Sequence, residues 1–387
     1  MKRVAILVET ALASGRAILG GISRYVHESD QWSVFHYTGS LGAMEPASLD
    51  QWRGDGIIAR LTDRDQLKRV KAKAVPVVDV LGNIAGLPYP LVKCDDRAIG
   101  RLVARHFLES GHQHFAFFGL SGQRWSLERQ ESFDATARTR AQSVSVFQSP
   151  AADRTSATWL RGFQRICDWL DALPKPVGLM VASDQFGPLA IEACQRLGLS
   201  VPEEVSVVGV DNDLPFCDLC QPRLSSVEPN HARVGYEAAR LLDCLMSGEG
   251  PPPAPLEVPP LTLHRRPSSD AAAVSDASLV KALQHIRLRA CDGTSVDDVA
   301  RAAGLSRSVL QRRFRDQLGR TVGAALLAVK LGRARDMLAF TDLPLLDVAM
   351  RSGFNYQEYL NHVFKRHLGM TPAQYRAQNQ QHRPTLN

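Results

Sequence analysis

One pattern constrains this chain more than any other, and it occurs twice in the last 110 residues. Asp298-Val299-Ala300 leads to Gly304-Leu305, then to Phe314 and Leu318-Gly319. Asp347-Val348-Ala349 leads to Gly353-Phe354, then to Phe364 and Leu368-Gly369. In both copies glycine follows alanine by four residues and the Leu-Gly pair follows phenylalanine by four. The second copy is one residue longer between its glycine and its phenylalanine. Apolar residues at helical spacing on either side of a glycine predict helix, tight turn and helix, twice over. Ser306 is placed to cap the second helix of the first copy, and Asn355 that of the second.

The same segment carries the chain's positive charge. From Ser278 to Asn387 there are 17 lysines and arginines against 8 acids, a balance of +9. The 277 residues before it hold 29 against 32, a balance of −3. A basic module beside a near-neutral body suggests a polyanion partner. In a helix-turn-helix the second helix enters the major groove of double-stranded DNA. The exposed candidates there are Arg307, Ser308, Gln311 and Arg312 in the first copy. In the second copy they are Tyr356, Gln357, Glu358, Asn361 and His362. Arginine reads guanine and glutamine or asparagine reads adenine through paired hydrogen bonds. Arg313, Arg315, Lys365 and Arg366 are placed as phosphate contacts, which add affinity without sequence information. A plain helical bundle with solvated charges is the alternative, and two copies in register on the basic segment weigh against it.

Residues 1 to about 265 read differently. Strand candidates are Val4–Glu9, Trp32–Tyr37, Gly56–Leu61, Val75–Val80, Leu91–Cys94, His114–Leu120, Val177–Ala182 and Val205–Val210. Helical patterns lie between them, such as Ala98–Ser110 with Ile99, Leu102, Val103, His106 and Phe107 on one face. Strand-helix alternation predicts an α/β domain of parallel sheets with helices on both faces. Ligands of such sheets bind at the carboxyl ends of the strands. Six prolines between Pro251 and Pro260, then the polar, alanine-rich stretch Pro267–Ala277, mark a change of texture. The expected division is a two-lobed effector domain at 1–266, a linker at 267–277 and an all-α domain at 278–387.

Other function classes are poorly supported. Phosphate-loop, dinucleotide-binding, nucleophile-elbow and His-Glu-x-x-His patterns are all missing from the sequence. Cys217-x-x-Cys220 has metal spacing but no further ligand pair close by in sequence, so no metal and no cofactor is expected, and no enzymatic activity. Seven scattered cysteines do not read as a disulfide framework. The five apolar residues Val4–Val8 fall short of the ~7–15 of a secretion signal. No run approaches the ~18–20 apolar residues of a membrane span, so a cytoplasmic protein with no membrane association is expected.

Residues 278–380 resemble the AraC-type DNA-binding domain. The signature stands as Gly353-Phe354, Tyr359-Leu360, Phe364-Lys365, Gly369, Thr371-Pro372 and Tyr375-Arg376. The resemblance implies two helix-turn-helix units joined by a long helix, here about Val322–Phe340. Residues 3–265 resemble the effector domain of LacI/GalR regulators, itself similar to periplasmic sugar-binding proteins. The matching stretches are Asp95-Asp96-Arg97, Gly111-His112, Ser183-Asp184, Gly198 with Val201–Val205, and Gly209-Val210-Asp211-Asn212. This pairing of domains resembles the XylR-type regulators of xylose operons, as do Arg124-Trp125, Glu128-Arg129 and Ser306-Arg307-Ser308. It implies a sugar-responsive transcription regulator, an activator of pentose catabolic genes with D-xylose as the first effector to consider. A homodimer on a DNA operator and contact with RNA polymerase are expected with it.

Sugars are gripped by carboxylates, amides and guanidinium groups beside an aromatic face. Asp211 and Asn212 follow Val205–Val210, Asp184 follows Val177–Ala182, and Arg124 and Arg129 lie beyond His114–Leu120. Arg16 lies beyond the first strand, and Trp125 is the candidate stacking face. Asp95 and Asp96 read first as caps of the helix that follows. Two other readings stay open: a sugar-binding protein whose helical tail meets a protein partner, and a regulator with a non-sugar effector.

Overall fold

Strands β1 (Lys2–Leu7), β2 (Trp32–His36), β3 (Gly56–Ala59) and β4 (Val77–Asp79) form a parallel sheet in the order β2-β1-β3-β4. Both β3 and β4 are buried along their whole length, as expected of strands covered on two faces. β5 (Val92–Cys94) then leads to a second series: β6 (His114–Leu120), β7 (Ser143–Ser149), β8 (Val177–Val181), β9 (Val205–Val210), β10 (Ser225–Glu228), β11 (Leu256–Val258) and β12 (Thr262–His264). Six of these make a sheet in the order β12-β10-β9-β8-β6-β7, parallel except where β12 runs against β10. β11 pairs instead with β5, where the chain passes from one lobe to the other. The computed structural model describes residues 1–29, 32–36, 49, 51–149, 156–270, 274 and 276–380, and divides the chain into units Met1–Ala273 and Val274–Asn387.

All eight expected strands are present, shorter by a few residues at several ends. Unforeseen were β7, β10, β11 and β12. β10 is Ser-Ser-Val-Glu, and β11 and β12 have three residues each, so their pairing partners decide their state. The end of β2 falls at His36, and expected Tyr37 lies outside the described residues. Helix His231–Met246 returns to the first lobe and packs on helix Ala13–Ser29. A Cβ at Gly235 would stand 2.0 Å from the Ile18 carbonyl oxygen, so this close approach requires glycine.

The first unit extends past the expected boundary. Ser268 is buried, donates to the Val207 carbonyl at 2.6 Å and accepts from the Ser225 amide at 2.8 Å. Asp276 already belongs to the second unit, where it caps helix Ala277–Arg289. The division after Ala273 falls inside the expected linker, 267–277.

The second unit is helical throughout its described residues. Helices Val296–Ala302 and Arg307–Leu318 make the first helix-turn-helix, Leu345–Arg351 and Gln357–Leu368 the second. Helix Val322–Phe340 joins them with the expected bounds. Its Val322, Ala325 and Leu326 enter the core of the first helix-turn-helix, and its Leu331, Ala334, Met337 and Leu338 enter that of the second. Ser306 caps Arg307–Leu318 as expected, its hydroxyl accepting from the Val309 amide. Asn355 does not cap the second reading helix. The extra residue of the second copy falls in this turn, so Tyr356 takes the cap position and makes no side-chain cap bond.

Candidate functional site

The loops at the carboxyl ends of β1, β6, β8 and β9 enclose a cavity of about 470 Å³ between the two lobes of the first unit. That is the size of a small-molecule site, ~300–1,000 Å³. Its floor is a web of buried charge. Arg129, from helix Arg124–Ala137, donates to Asp96 Oδ1 at 2.8 Å and to the Ala182 carbonyl at 2.6 Å. Lys93, in the crossing strand β5, pairs with Glu128 and lies 3.7 Å from Asp96 and 3.6 Å from Glu257. Burial of these groups is tolerated because each charge meets an opposite one.

The second lobe supplies Asp211 at the end of β9. It accepts from Ser183 Oγ at 2.9 Å, and His231 Nε2 lies 3.2 Å from its other oxygen. Burial would raise the Asp211 carboxyl, but the His231 hydrogen bond and the Arg129 charge hold it below the ordinary range. Burial would lower His231, yet the Cys94 sulfur and Asp211 raise it to about 9. The cavity therefore presents an ionised carboxylate. Trp125 forms an aromatic wall, with the Arg129 guanidinium 4.8 Å from its ring centre. Gln123 and Gln185 add amides. A carboxylate, a guanidinium, amides and an aromatic face together suit a ligand rich in hydroxyls.

Of the seven residues expected to hold a ligand, Asp211, Arg129 and Trp125 line this cavity. The other four side chains are committed elsewhere. Asn212 accepts from Arg266 at 2.6 Å. The backbone turns at Asp211 (φ +110°) and Asn212 (φ +48°), which sends the two side chains to different partners. Asp184 is buried under β9, bonded by Ser226 at 2.7 Å, the Asp213 amide at 2.8 Å and the Cys217 thiol at 3.4 Å. Burial and the Asp211 charge push its carboxyl well above the ordinary range, so it acts as a buried hydrogen-bonding hub. Arg124 pairs with Glu128 at 2.9 Å and faces a neighbouring hollow bordered by Pro251–Pro255. Arg16 donates to the Thr10 and Ala11 carbonyls at 3.1 and 2.8 Å, fixing the loop ahead of its own helix.

Sequence reasoning missed Lys93, Cys94 and His231, and read Asp96 as a cap. Asp95 alone does the capping, its carboxylate accepting from the Ala98 amide at 2.7 Å. A lysine inside an apolar strand was the signal for Lys93; His231 gave none. Cys217 and Cys220 are buried free thiols, and among the described residues no group of three or more His, Cys, Asp or Glu is placed to hold a metal ion.

On the first reading helix Arg307, Ser308 and Arg312 are exposed and Gln311 is half-buried. Arg307 lies 3.2 Å from Asp297 of the preceding helix, an exposed pair that solvent weakens. Arg313, read as a phosphate contact, instead pairs with Asp276 at 2.7 Å. On the second, Tyr356, Glu358, His362, Lys365 and Arg366 are exposed, while Gln357 and Asn361 are half-buried. Tyr359, not among the expected residues, is 53% exposed on the same helix and adds a large apolar surface to it.

Comparison with known proteins covers almost the whole chain. Residues 3–93 match the XylR N-terminal domain, 104–269 a periplasmic binding protein-like domain and 299–378 a helix-turn-helix domain. The xylose operon regulatory protein of Escherichia coli K12 is 31% identical over 97% of both chains. That of Haemophilus influenzae is 28% identical over 97% of this chain and 98% of its own. A solved structure described as the xylose-binding transcription activator xylR superposes with a TM-score of 0.82 at 31% identity, covering 98% of each chain. These relatives are regulators, not enzymes. With its charged cavity between two α/β lobes and its paired helix-turn-helix units, the chain belongs to the family of xylose operon regulatory proteins.

Proposed function

We propose that the chain is a cytoplasmic, D-xylose-responsive transcription activator that works as a homodimer. The observation that carries this is the cavity in which Asp211 is held ionised beside Arg129 and Trp125, in a chain related along its whole length to xylose operon regulators. Asp211 accepts from a pair of sugar hydroxyls, Arg129 and the two glutamines complete their hydrogen bonding, and Trp125 covers an apolar face of the ring. Because the cavity walls come from both lobes, a sugar in it favours the closed arrangement. It shifts the equilibrium only by its differential affinity for the two states, and a near-complete switch takes ~5.5 kcal/mol. Closure changes how two protomers offer their reading helices to an operator with repeated half-sites and, on DNA, to RNA polymerase.

In the reading helices Arg307, Ser308, Gln311 and Arg312 take one major-groove segment. Tyr356, Gln357, Glu358, Asn361 and His362 take the next, with Lys365 and Arg366 on phosphates. The test is duplex binding by the full-length protein, using a site selected from a random pool in the presence of D-xylose. D-xylose is expected to tighten binding to that duplex at least tenfold, while D-ribose and L-arabinose leave it unchanged. Equal affinity with and without D-xylose would overturn the proposal.

A further inference from the structure

Cys94 ends β5 and lines the cavity. Its Sγ lies 3.3 Å from His231 Nδ1, and His231 Nε2 lies 3.2 Å from Asp211 Oδ1. Thiol, imidazole and carboxylate thus stand in series. That is the arrangement in which a base oriented by a third group activates a sulfur nucleophile. Neither sugar binding nor DNA recognition calls for a thiol at this place.

His231, raised to about 9, is an imidazolium at neutral pH and stands 3.3 Å from the Cys94 sulfur. None of the other six cysteines lines the cavity. Burial pushes Cys194 and Cys220 up to about 12 and raises Cys167, Cys217, Cys244 and Cys291. Cys217 points its thiol at the Asp184 carboxyl, where a thiolate would be repelled.

We infer that Cys94 is a nucleophilic thiol that adds reversibly to the carbonyl carbon of a short 2-hydroxyaldehyde admitted to the cavity. The aldehyde is either a free one or the open-chain form of an aldose. Protonated His231 gives its proton to the carbonyl oxygen as the sulfur forms a C–S bond and the C=O π pair moves to that oxygen, and the thiol proton passes to the imidazole in its place. The product is a hemithioacetal, with no change of oxidation state and no co-reactant. An aldehyde has no leaving group, so the addition is an equilibrium and not a turnover. Asp211 and Arg129, in the same cavity, supply partners for the neighbouring hydroxyl. The inference rests on the cavity and its thiol, and not on which sugar is the physiological effector.

Two measurements on the full-length protein test it. In the first, peptide-mapped alkylation by iodoacetamide compares Cys94 with Cys194 within the wild-type protein. Cys94 is expected to react at least tenfold faster, and His231→Gln to slow it about tenfold. In the second, carbon NMR follows glycolaldehyde and D-xylose, each labelled with carbon-13 at C1. A protein-bound signal from a C1 bonded to both sulfur and oxygen, distinct from the hydrate and ring-hemiacetal C1, is expected with glycolaldehyde, absent in Cys94→Ser and lost on dilution. The same signal with D-xylose would assign the open-chain aldose as a source, and its absence would leave free aldehydes as the source. Equal alkylation of Cys94 and Cys194, or an aldehyde signal that survives in Cys94→Ser, would overturn the inference. D-xylose binding with no adduct from either aldehyde would overturn it while leaving the sugar proposal standing. An adduct without D-xylose binding would support it and defeat that proposal.

Discussion

His231 opens the helix that returns to the first lobe, Asp211 directly follows β9 of the second, and the two meet at 3.2 Å, so that one ion pair spans the lobes. The histidine's folded pKa, about 9, lies above its ordinary 6.5. Its contribution to stability is therefore fully present below pH 6.5 and is lost as pH rises through about 9. Asp211, held below its ordinary range by the same contact, has the opposite sign. Its contribution is present at neutral pH and is lost only in acid. At ~1.4 kcal/mol per pH unit, the alkaline loss is on the order of 3 kcal/mol. All five tryptophans lie in the first unit, so urea unfolding followed by their fluorescence reports it selectively. Stability should fall between pH 6.5 and 9, and His231→Asn should flatten the profile.

The buried pair of Arg129 and Asp96 makes a second prediction. Replacing Arg129 by Met strips the nearer of two charge partners, the other being Lys93, from a carboxylate that is 3% exposed. Breaking a buried ion pair from one side costs ~3–5 kcal/mol. Adding Asp96→Asn to Arg129→Met should recover part of that loss, and a strictly additive double variant would show that the two side chains are not coupled.

The two turn glycines should respond unequally. Gly304 (φ +67°) has open space where a Cβ would stand, whereas at Gly353 (φ +75°) a Cβ would meet the Cys291 backbone at 2.7 Å. Gly304→Ala carries only the strain of positive φ, ~1–3 kcal/mol. Gly353→Ala adds a collision with a backbone that has no rotamer to change, and should unfold the second helix-turn-helix at a lower temperature by far-ultraviolet circular dichroism. Equal melting shifts would contradict this packing.

Arginines on one reading helix should also separate. Arg307→Ala with Arg312→Ala removes exposed groups and should weaken duplex binding by ~1–3 kcal/mol for each base no longer read. Arg313→Ala removes the partner of Asp276, at 2.7 Å, so it should loosen the start of helix Ala277–Arg289 while leaving the salt dependence of DNA binding nearly unchanged. Fluorescence anisotropy over a series of salt concentrations distinguishes the two.

The α/β architecture and the double helix-turn-helix were legible because apolar periodicity and the repeated glycine spacing are local signals. Helix Val322–Phe340 has the expected bounds. Less legible were elements that long-range pairing creates, such as β10, whose serines give no apolar alternation. The ligand cavity was half legible. Strand-end reasoning reached Asp211, Arg129 and Trp125, but could not tell that Asp184, one turn from the same sheet edge, bonds inward to Ser226 and Asp213. His231 lies 20 residues beyond Asp211 in the chain, and only the folded crossing between the lobes brings them together.

Calorimetric titration of D-xylose into the full-length protein and into Asp211→Asn tests the central claim most directly. The variant keeps the size of the side chain and an acceptor for Ser183 while removing the charge. One site per wild-type chain is predicted. Affinity should fall between tenfold and a hundredfold in the variant, as expected when hydrogen bonds to a charged group, ~1.5–3 kcal/mol, are removed. Undiminished D-xylose binding by Asp211→Asn, or none by the wild-type protein, would contradict the account.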